Sequence, residues 1–154
     1  MLIEQLNSLI KAEVEALGFI LWGIEIDHSS SHAGSMTLRV FIDHEQGISV
    51  DDCQRVSQTV STILDVEDPI DRTYTLEVSS PGVNRRVFNA LQASALIGFE
   101  VKTRLVRADE MTDRRNLKGK ITAVENNNVT LDTEVGEIVF DFGQVEHMRV
   151  VAKL

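Results

Sequence analysis

Residues 74–86, which read YTLEVSSPGVNRR, carry the clearest structural pattern of the chain. It starts with an alternation of apolar and polar side chains, which is typical of a β-strand with one buried face. The apolar positions are Tyr74, Leu76 and Val78. We expect the strand to stop before Pro81, which fixes φ and lacks a ladder donor, while Gly82 permits the positive φ of a type II turn. Two arginines follow, so the strand is predicted to lead into a cationic tip.

Upstream of this strand, the apolar spacing predicts two helices and a hairpin. Apolar residues recur at helical spacing over residues 2–17, and residues 19–27 and 37–42 read as the two strands of a β-hairpin. Ser49 precedes two aspartates at the start of a second amphipathic segment, a typical N-cap followed by carboxylates that the helix dipole favours. Residues 1–90 are therefore predicted to form an N-terminal α+β domain, sandwich-like, in the order α-β-β-α-β.

Downstream, the pattern changes at Gly98. Residues 91–98 are predicted to form a short helix and linker, and five short alternating strands follow within residues 99–154. Such a series predicts a small SH3-like or Sm-like β-barrel. The polar connection over residues 108–116 is expected to be its exposed, mobile loop. The predicted fold class is therefore α+β, with the sandwich-like domain first and the barrel second.

The charge is distributed unevenly along the chain. Residues 1–80 hold four Lys or Arg and fourteen Asp or Glu, whereas residues 81–120 hold nine and four, within a total of −9. An acidic protein is repelled by nucleic acid at long range. A basic block flanked by acidic ones instead indicates directed contacts, with one face toward phosphate and another toward basic protein. Uneven charge without a function is the alternative.

The segment EVSSPG at residues 77–82, followed by Arg85, resembles the signature of the bacterial ribosome maturation factor RimP family. The order of helices and strands around it is similar to that family as well. Val83, Asn84 and Arg86 stand where the family pattern has Leu, Asp and Pro. The resemblance implies an assembly factor that binds the free small (30S) ribosomal subunit transiently during its maturation. It also implies contacts with ribosomal RNA and with a ribosomal protein near the decoding region.

Two groups of residues are predicted to bind the partner. In the signature loop, exposed backbone N–H groups beside two arginines suit a phosphate or a carboxylate. This group comprises Ser79, Ser80, Pro81, Gly82, Asn84, Arg85 and Arg86. The second group lies on two strands of the barrel and comprises Lys102, Arg104, Lys118 and Lys120. If those strands pair in register, the four cations line one outer face. The alternatives are a loop that only reverses the chain and a solvated strand face.

The sequence contains no motif for catalysis or for a cofactor. A phosphate loop, a dinucleotide fingerprint and a nucleophile elbow are all absent, so we predict neither enzyme activity nor a cofactor. The histidines show no ligand spacing with cysteine, although His28 and His32 flank one serine-rich loop and could bind a metal adventitiously. Cys53 is expected to be buried and inert. With 6 Phe, 1 Trp and 1 Tyr, base stacking on single strands is not the favoured mode of recognition.

The N-terminus has no leader-like pattern, and no apolar run approaches the length that a bilayer requires. We therefore expect a cytoplasmic protein without membrane contact, and a monomer. The second functional hypothesis is an Sm-like RNA-binding regulator that acts through the C-terminal barrel and binds short free RNAs. A third, a small hydrolase that uses Ser80, predicts an activity that disappears in Ser80→Ala.

Overall fold

The computed structural model describes residues 2–28 and 35–152. The chain divides into two compact units, Met1–Pro81 and Gly82–Leu154. The first unit combines two helices with a three-stranded sheet, and the second is built mainly on a five-stranded sheet. The predicted α+β class is confirmed.

In the first unit, two helices pack on one face of the sheet. Helix α1 (Leu2–Ala16) precedes an antiparallel hairpin of β1 (Ile20–Asp27) and β2 (Met36–Asp43). Helix α2 (Val50–Glu67) then leads to β3 (Tyr74–Ser79), which pairs with β2 in parallel and completes the sheet order β1-β2-β3. This is the predicted order α-β-β-α-β.

The core of the first unit lies between its helices and its sheet. Its buried side chains include Leu6, Ile10, Val14, Met36, Leu38, Val40, Ile42, Val56, Val60 and Leu64. On β3, Tyr74, Leu76 and Val78 pack against this core, and the residues between them are exposed. The alternation read from the sequence therefore fixes which face of the signature strand is buried.

Helix α2 begins with the predicted cap. The Ser49 hydroxyl accepts a hydrogen bond from the backbone N–H of Asp52 at 3.1 Å, and the Asp52 carboxylate accepts one from the backbone N–H of Ser49 at 2.9 Å. This reciprocal pair is a capping box. The backbone hydrogen bond from Ser49 lowers the pKa of Asp52. Because the folded pKa lies below the unfolded one, this stabilisation is present at neutral pH and is lost as pH falls through the lowered pKa.

The second unit is an antiparallel sheet with one short helix. Its strands follow the order β7-β6-β5-β4-β8, and each neighbouring pair is antiparallel. Its elements are α3 (Ala90–Ser94), β4 (Glu100–Leu105), β5 (Asn116–Glu125), β6 (Asn128–Thr133), β7 (Gly136–Asp141) and β8 (Val145–Val150). Five antiparallel strands are compatible with the predicted small barrel. The core includes Val101, Leu105, Ile121, Leu131, Phe140 and Met148.

Two local features of this unit depend on hydrogen bonds made by aspartates. A 3₁₀ turn covers Phe142–Gln144, and the Asp141 carboxylate caps it by accepting the N–H of Gly143 at 2.7 Å. The connection between β4 and β5 contains a hydrogen-bonded turn. In that turn the Asp109 carboxylate accepts the backbone N–H groups of Met111 and Thr112 at 3.2 and 3.0 Å. The connection is therefore tied by its own hydrogen bonds.

The chain divides earlier than the sequence pattern indicates. The division lies between Pro81 and Gly82, whereas the pattern placed a first domain at residues 1–90, a linker at 91–98 and a second domain at 99–154. The physical reason is a set of contacts that the segment after Gly82 makes inside the second unit. The backbone N–H of Val87 donates to the carbonyl of Met148 at 2.8 Å, which extends the sheet beyond β8.

We propose that the second domain begins near Gly82, and we expect a fragment of residues 82–154 to be more stable than one of residues 99–154. The shorter fragment lacks the segment that pairs with β8, together with the buried Val87 and Ala93. Burying a valine side chain contributes about 1.5–3 kcal/mol. Urea unfolding of the two purified fragments, followed by circular dichroism, measures the difference. Equal unfolding midpoints would indicate that the second domain begins near Gly98 instead.

Candidate nucleic-acid interface

The outer surface of β4 and β5 carries the four cations that the sequence placed at outward positions. On both strands alternate residues are buried, and the cations between them are exposed: Lys102, Arg104, Lys118 and Lys120. The strands pair so that Lys102 lies opposite Lys118. Residues that lie opposite each other in a ladder share one face of the sheet. The structure therefore brings the four cations together on one face.

Strand β8 adds two residues that the sequence reasoning missed, His147 and Arg149. His147 lies opposite Arg104, and Arg149 lies opposite Lys102. Strand alternation in the sequence could have identified them, because the buried Met148 between them requires its neighbours to point outward. We call this surface the basic face. It consists of Lys102, Arg104, Lys118, Lys120, His147 and Arg149.

Carboxylates compensate part of the basic face. The Lys118 ammonium lies 3.3 Å from a carboxylate oxygen of Glu100, and the Arg104 guanidinium lies 3.1 Å from one of Glu146. Exposed ion pairs of this kind contribute about 0–1 kcal/mol each, so a phosphate can replace the carboxylate at little cost. These two pairs therefore leave the cations available to an anionic partner.

The centre of the basic face is less compensated. Lys102 forms no salt bridge with any residue in the described ranges, whereas Lys120 lies opposite Glu100 on β4 and Asp132 on β6. A shallow cavity of about 290 Å³ opens beside Lys102, between Arg104, Lys118 and His147. A phosphate group seated there would meet positive charge from Lys102, Arg104 and Lys118, on two strands. The arrangement suits binding of a polyanion through its backbone.

The residues of the signature loop that close the first unit are exposed or half-buried. Ser79 is the last residue of β3 and is exposed, as is Ser80, whereas Pro81 is half-buried. Gly82, the first residue of the second unit, has φ +79°, so the positive φ predicted for this turn is confirmed. Nothing lies within 4 Å of the position that a β-carbon on Gly82 would occupy. The glycine is therefore needed for conformation and not for space.

The later residues of the signature loop stabilise the second unit. The carbonyl of Asn84 accepts a hydrogen bond from the Arg149 guanidinium at 2.8 Å, and its side-chain oxygen accepts the N–H of Ala152 at 2.9 Å. The Arg86 guanidinium lies 4.8 Å from the centre of the Phe88 ring, a cation–π contact. Asn84 and Arg86 thus have structural contacts of their own. Asn84 also fixes Arg149 within the basic face.

Arg85 has a local contact. Its Nε donates to the carbonyl of Gly82 at 3.3 Å, and its side chain is half-buried. Its backbone carbonyl accepts the N–H of Val150 at 2.9 Å, which joins this segment to β8. The role of Arg85 in binding stays a prediction.

In the first unit, the cation in the middle of the sheet is compensated. The Arg39 guanidinium lies between two carboxylates, with hydrogen bonds to Asp27 at 3.1 Å and to Glu77 at 2.8 Å. The hydrogen bond with Asp27, followed by that with Glu77, raises the pKa of Arg39. With four Lys or Arg against fourteen Asp or Glu over residues 1–80, this unit carries an excess of negative charge.

The residues considered for metal and thiol chemistry are arranged as follows. Within residues 2–28 and 35–152, no three His, Cys, Asp or Glu side chains meet as a metal-binding group. His28 is exposed, and His32 lies outside the described residues. Cys53 is half-buried, less than expected, and burial raises the pKa of its thiol, which keeps it protonated at neutral pH. None of the helices in the described ranges is both long and apolar enough to cross a bilayer.

Residues 9–84 match the family model of the RimP N-terminal domain. The match begins within α1, covers all of β1, β2, α2 and β3, and ends just beyond the glycine of the signature loop. The chain belongs to the RimP family. The resemblance read from the signature strand is therefore confirmed, and membership in the RimP family indicates a general role in ribosome maturation. The basic face lies outside the residues that match the RimP N-terminal domain.

Proposed function

We propose that this protein is an assembly factor of the small (30S) ribosomal subunit and binds the free subunit transiently, without catalysis. Membership in the RimP family supports a role in ribosome maturation. The basic face supports a contact with ribosomal RNA, and the resemblance stated above supports the small subunit as the target. The protein acts in the cytoplasm as a monomer.

The observation that carries this proposal is a row of like charges across three strands. Arg149, Lys102 and Lys118 lie opposite one another on β8, β4 and β5. Neighbouring strands are about 4.8 Å apart, and like charges placed directly opposite destabilise a sheet. An anionic partner removes that repulsion. The row therefore favours a binding function over a merely solvated strand face.

The negative charge of the whole chain favours a structured target over any available RNA. With a net charge of −9, the protein as a whole is repelled by nucleic acid, and salt screens this repulsion beyond about one Debye length. Attraction to phosphate arises only at close range on the basic face. The acidic first unit instead attracts a basic ribosomal protein near the decoding region. A ribosomal particle presents both RNA and basic protein, so both units can bind to it at the same time.

Co-sedimentation with purified ribosomal particles tests the proposal. We expect the protein to pellet with free small subunits and to stay in the supernatant with large subunits and intact ribosomes. The mechanism is selective binding of one folded arrangement of the subunit. Tight binding to short free RNAs, with no preference for the small subunit, would instead support the Sm-like regulator and reject the assembly role.

A further inference from the structure

The outer surface of the second sheet changes sign beyond β5. On β7, the exposed residues after Gly136 are Glu137, Val139 and Asp141, which alternate with buried residues. Asp132 on β6 lies opposite Glu137. Thus two carboxylates flank one exposed valine on β7, and a third carboxylate lies beside them. This surface repels RNA and attracts basic groups.

Strand β7 is also an edge of the sheet. It is the terminal strand in the order, and among the described strands it pairs with β6. An edge strand presents a row of backbone N–H and C=O groups that another strand can use. Proteins often cover such an edge or shorten it, but β7 spans the full stretch Gly136–Asp141.

Two adjoining concavities run along this edge and share one residue, Met111. The larger, of about 690 Å³, lies between Val106, Met111 and Val139. The smaller, of about 280 Å³, lies between Met111 and Val135. The exposed fraction is 88% for Met111 and 59% for Val139. Exposed apolar side chains grouped in this way indicate an interaction surface.

We propose that the β7 edge binds an extended peptide in which one apolar residue has a lysine or arginine two positions away on either side, so that all three side chains lie on the face of Val139. The peptide adds a sixth strand to the sheet, a recognised mode of peptide binding in which backbone hydrogen bonds give affinity and side-chain pockets give selectivity. This inference rests on the proposed function for one point only, namely that the peptide belongs to a basic ribosomal protein.

The charges along β7 favour a peptide with basic and apolar residues over other partners. A residue opposite Val139 meets an apolar surface, and the residues two positions away on either side meet Glu137 and Asp141. The two concavities together are lined by four carboxylates and two guanidinium groups. One of those guanidiniums, on Arg114, is paired with Glu134 at 3.8 Å. A segment with basic, apolar and basic residues at every second position is therefore complementary to the edge.

A second copy of this chain fits less well. In an antiparallel β7–β7 pair centred on Val139, Glu137 of each copy would face Asp141 of the other. Two such carboxylate contacts destabilise the pair. Self-association through β7 is therefore disfavoured.

The test uses the full chain labelled with ¹⁵N and a synthetic nine-residue peptide of threonines that has valine at its centre and lysine two positions away on either side. We expect saturable chemical-shift changes at the amides of β7 and of the connection between β4 and β5. A peptide with glutamate in place of lysine should bind at least about tenfold more weakly, because its carboxylates face those of β7. Equal binding of the two peptides, or an RNA oligonucleotide that shifts the same amides, would overturn the inference.

A matched pair of variants locates the contact. Val139→Lys places a cation in the middle of the edge and should weaken the lysine–valine peptide about tenfold or more. Leu91→Lys makes the same change at a residue of α3 that is 80% exposed and lines neither concavity, and it should leave binding unchanged. Equal effects of the two variants would reject the β7 edge. If the peptide fails to bind while the full chain still co-sediments with small subunits, this inference fails and the proposed function stands.

Discussion

Gly119→Ala is expected to lower the melting temperature of the second unit by about 10 °C. Gly119 occupies an inward position on β5, and a β-carbon there would lie 2.5 Å from the backbone oxygen of Asp132 on β6. The obstacle is backbone, so the substitution must push two paired strands apart. Overpacking of this kind costs about 1–3 kcal/mol, and a domain of this size loses about 4–8 °C per kcal/mol.

The matched control is Gly143→Ala in the same unit. A β-carbon on Gly143 would meet the side-chain oxygen of Asp141 at 2.9 Å, and moving that side chain costs its hydrogen bonds with Gly143 and Asn127 without separating paired strands. Neither glycine has a positive φ, so backbone strain does not separate the two substitutions. Amide NMR signals of the buried Val129 and Leu131, followed with rising temperature, report on the second unit. Equal losses in the two variants would show that crowding against Asp132 is not the cause.

Local patterns in the sequence predicted the parts of the fold that depend on neighbouring residues. Strand alternation identified which side of β3, β4 and β5 is buried, because side chains alternate in every strand regardless of its partner. The cap at Ser49 and the positive φ of Gly82 follow from chemistry within a few residues. The RimP signature could be read for the same reason, since its strand and turn are contiguous.

Features that depend on distant pairing were not predictable in this way. His147 and Arg149 join the basic face because β8 pairs with β4, and nothing within β8 specifies that partner. The division at Pro81 has the same origin, since Val87 bonds to a strand near the other end of the unit. The acidic edge required knowing that β7 is the last strand of the sheet.

The second large effect is expected from reversing three charges of the basic face. Lys102, Lys118 and Lys120, all changed to Glu, should weaken binding to free small subunits by about a hundredfold or more. Charge-assisted hydrogen bonds contribute about 1.5–3 kcal/mol each, and each 1.4 kcal/mol changes affinity tenfold. The fold should persist, because all three side chains are exposed. A modest loss of stability is expected, since positions 102 and 118 would still carry like charges and a carboxylate at position 120 would lie opposite Glu100 and Asp132.

The control reverses three cations of the first unit, Lys11, Arg55 and Arg72, which are also exposed. Both triple variants change the net charge of −9 by the same amount. General repulsion between protein and subunit therefore increases equally in the two. Only the variant of the basic face removes the proposed contacts with phosphate.

The most direct test of the account is the salt dependence of affinity for free small subunits, measured for the unmodified protein and both triple variants. Each contact with a phosphate adds about 0.7–0.9 to the slope of log affinity against log salt. We expect the unmodified protein and the first-unit variant to share one slope, and the basic-face variant to have a slope smaller by about two to three. The same affinity and the same slope in all three proteins would contradict this expectation.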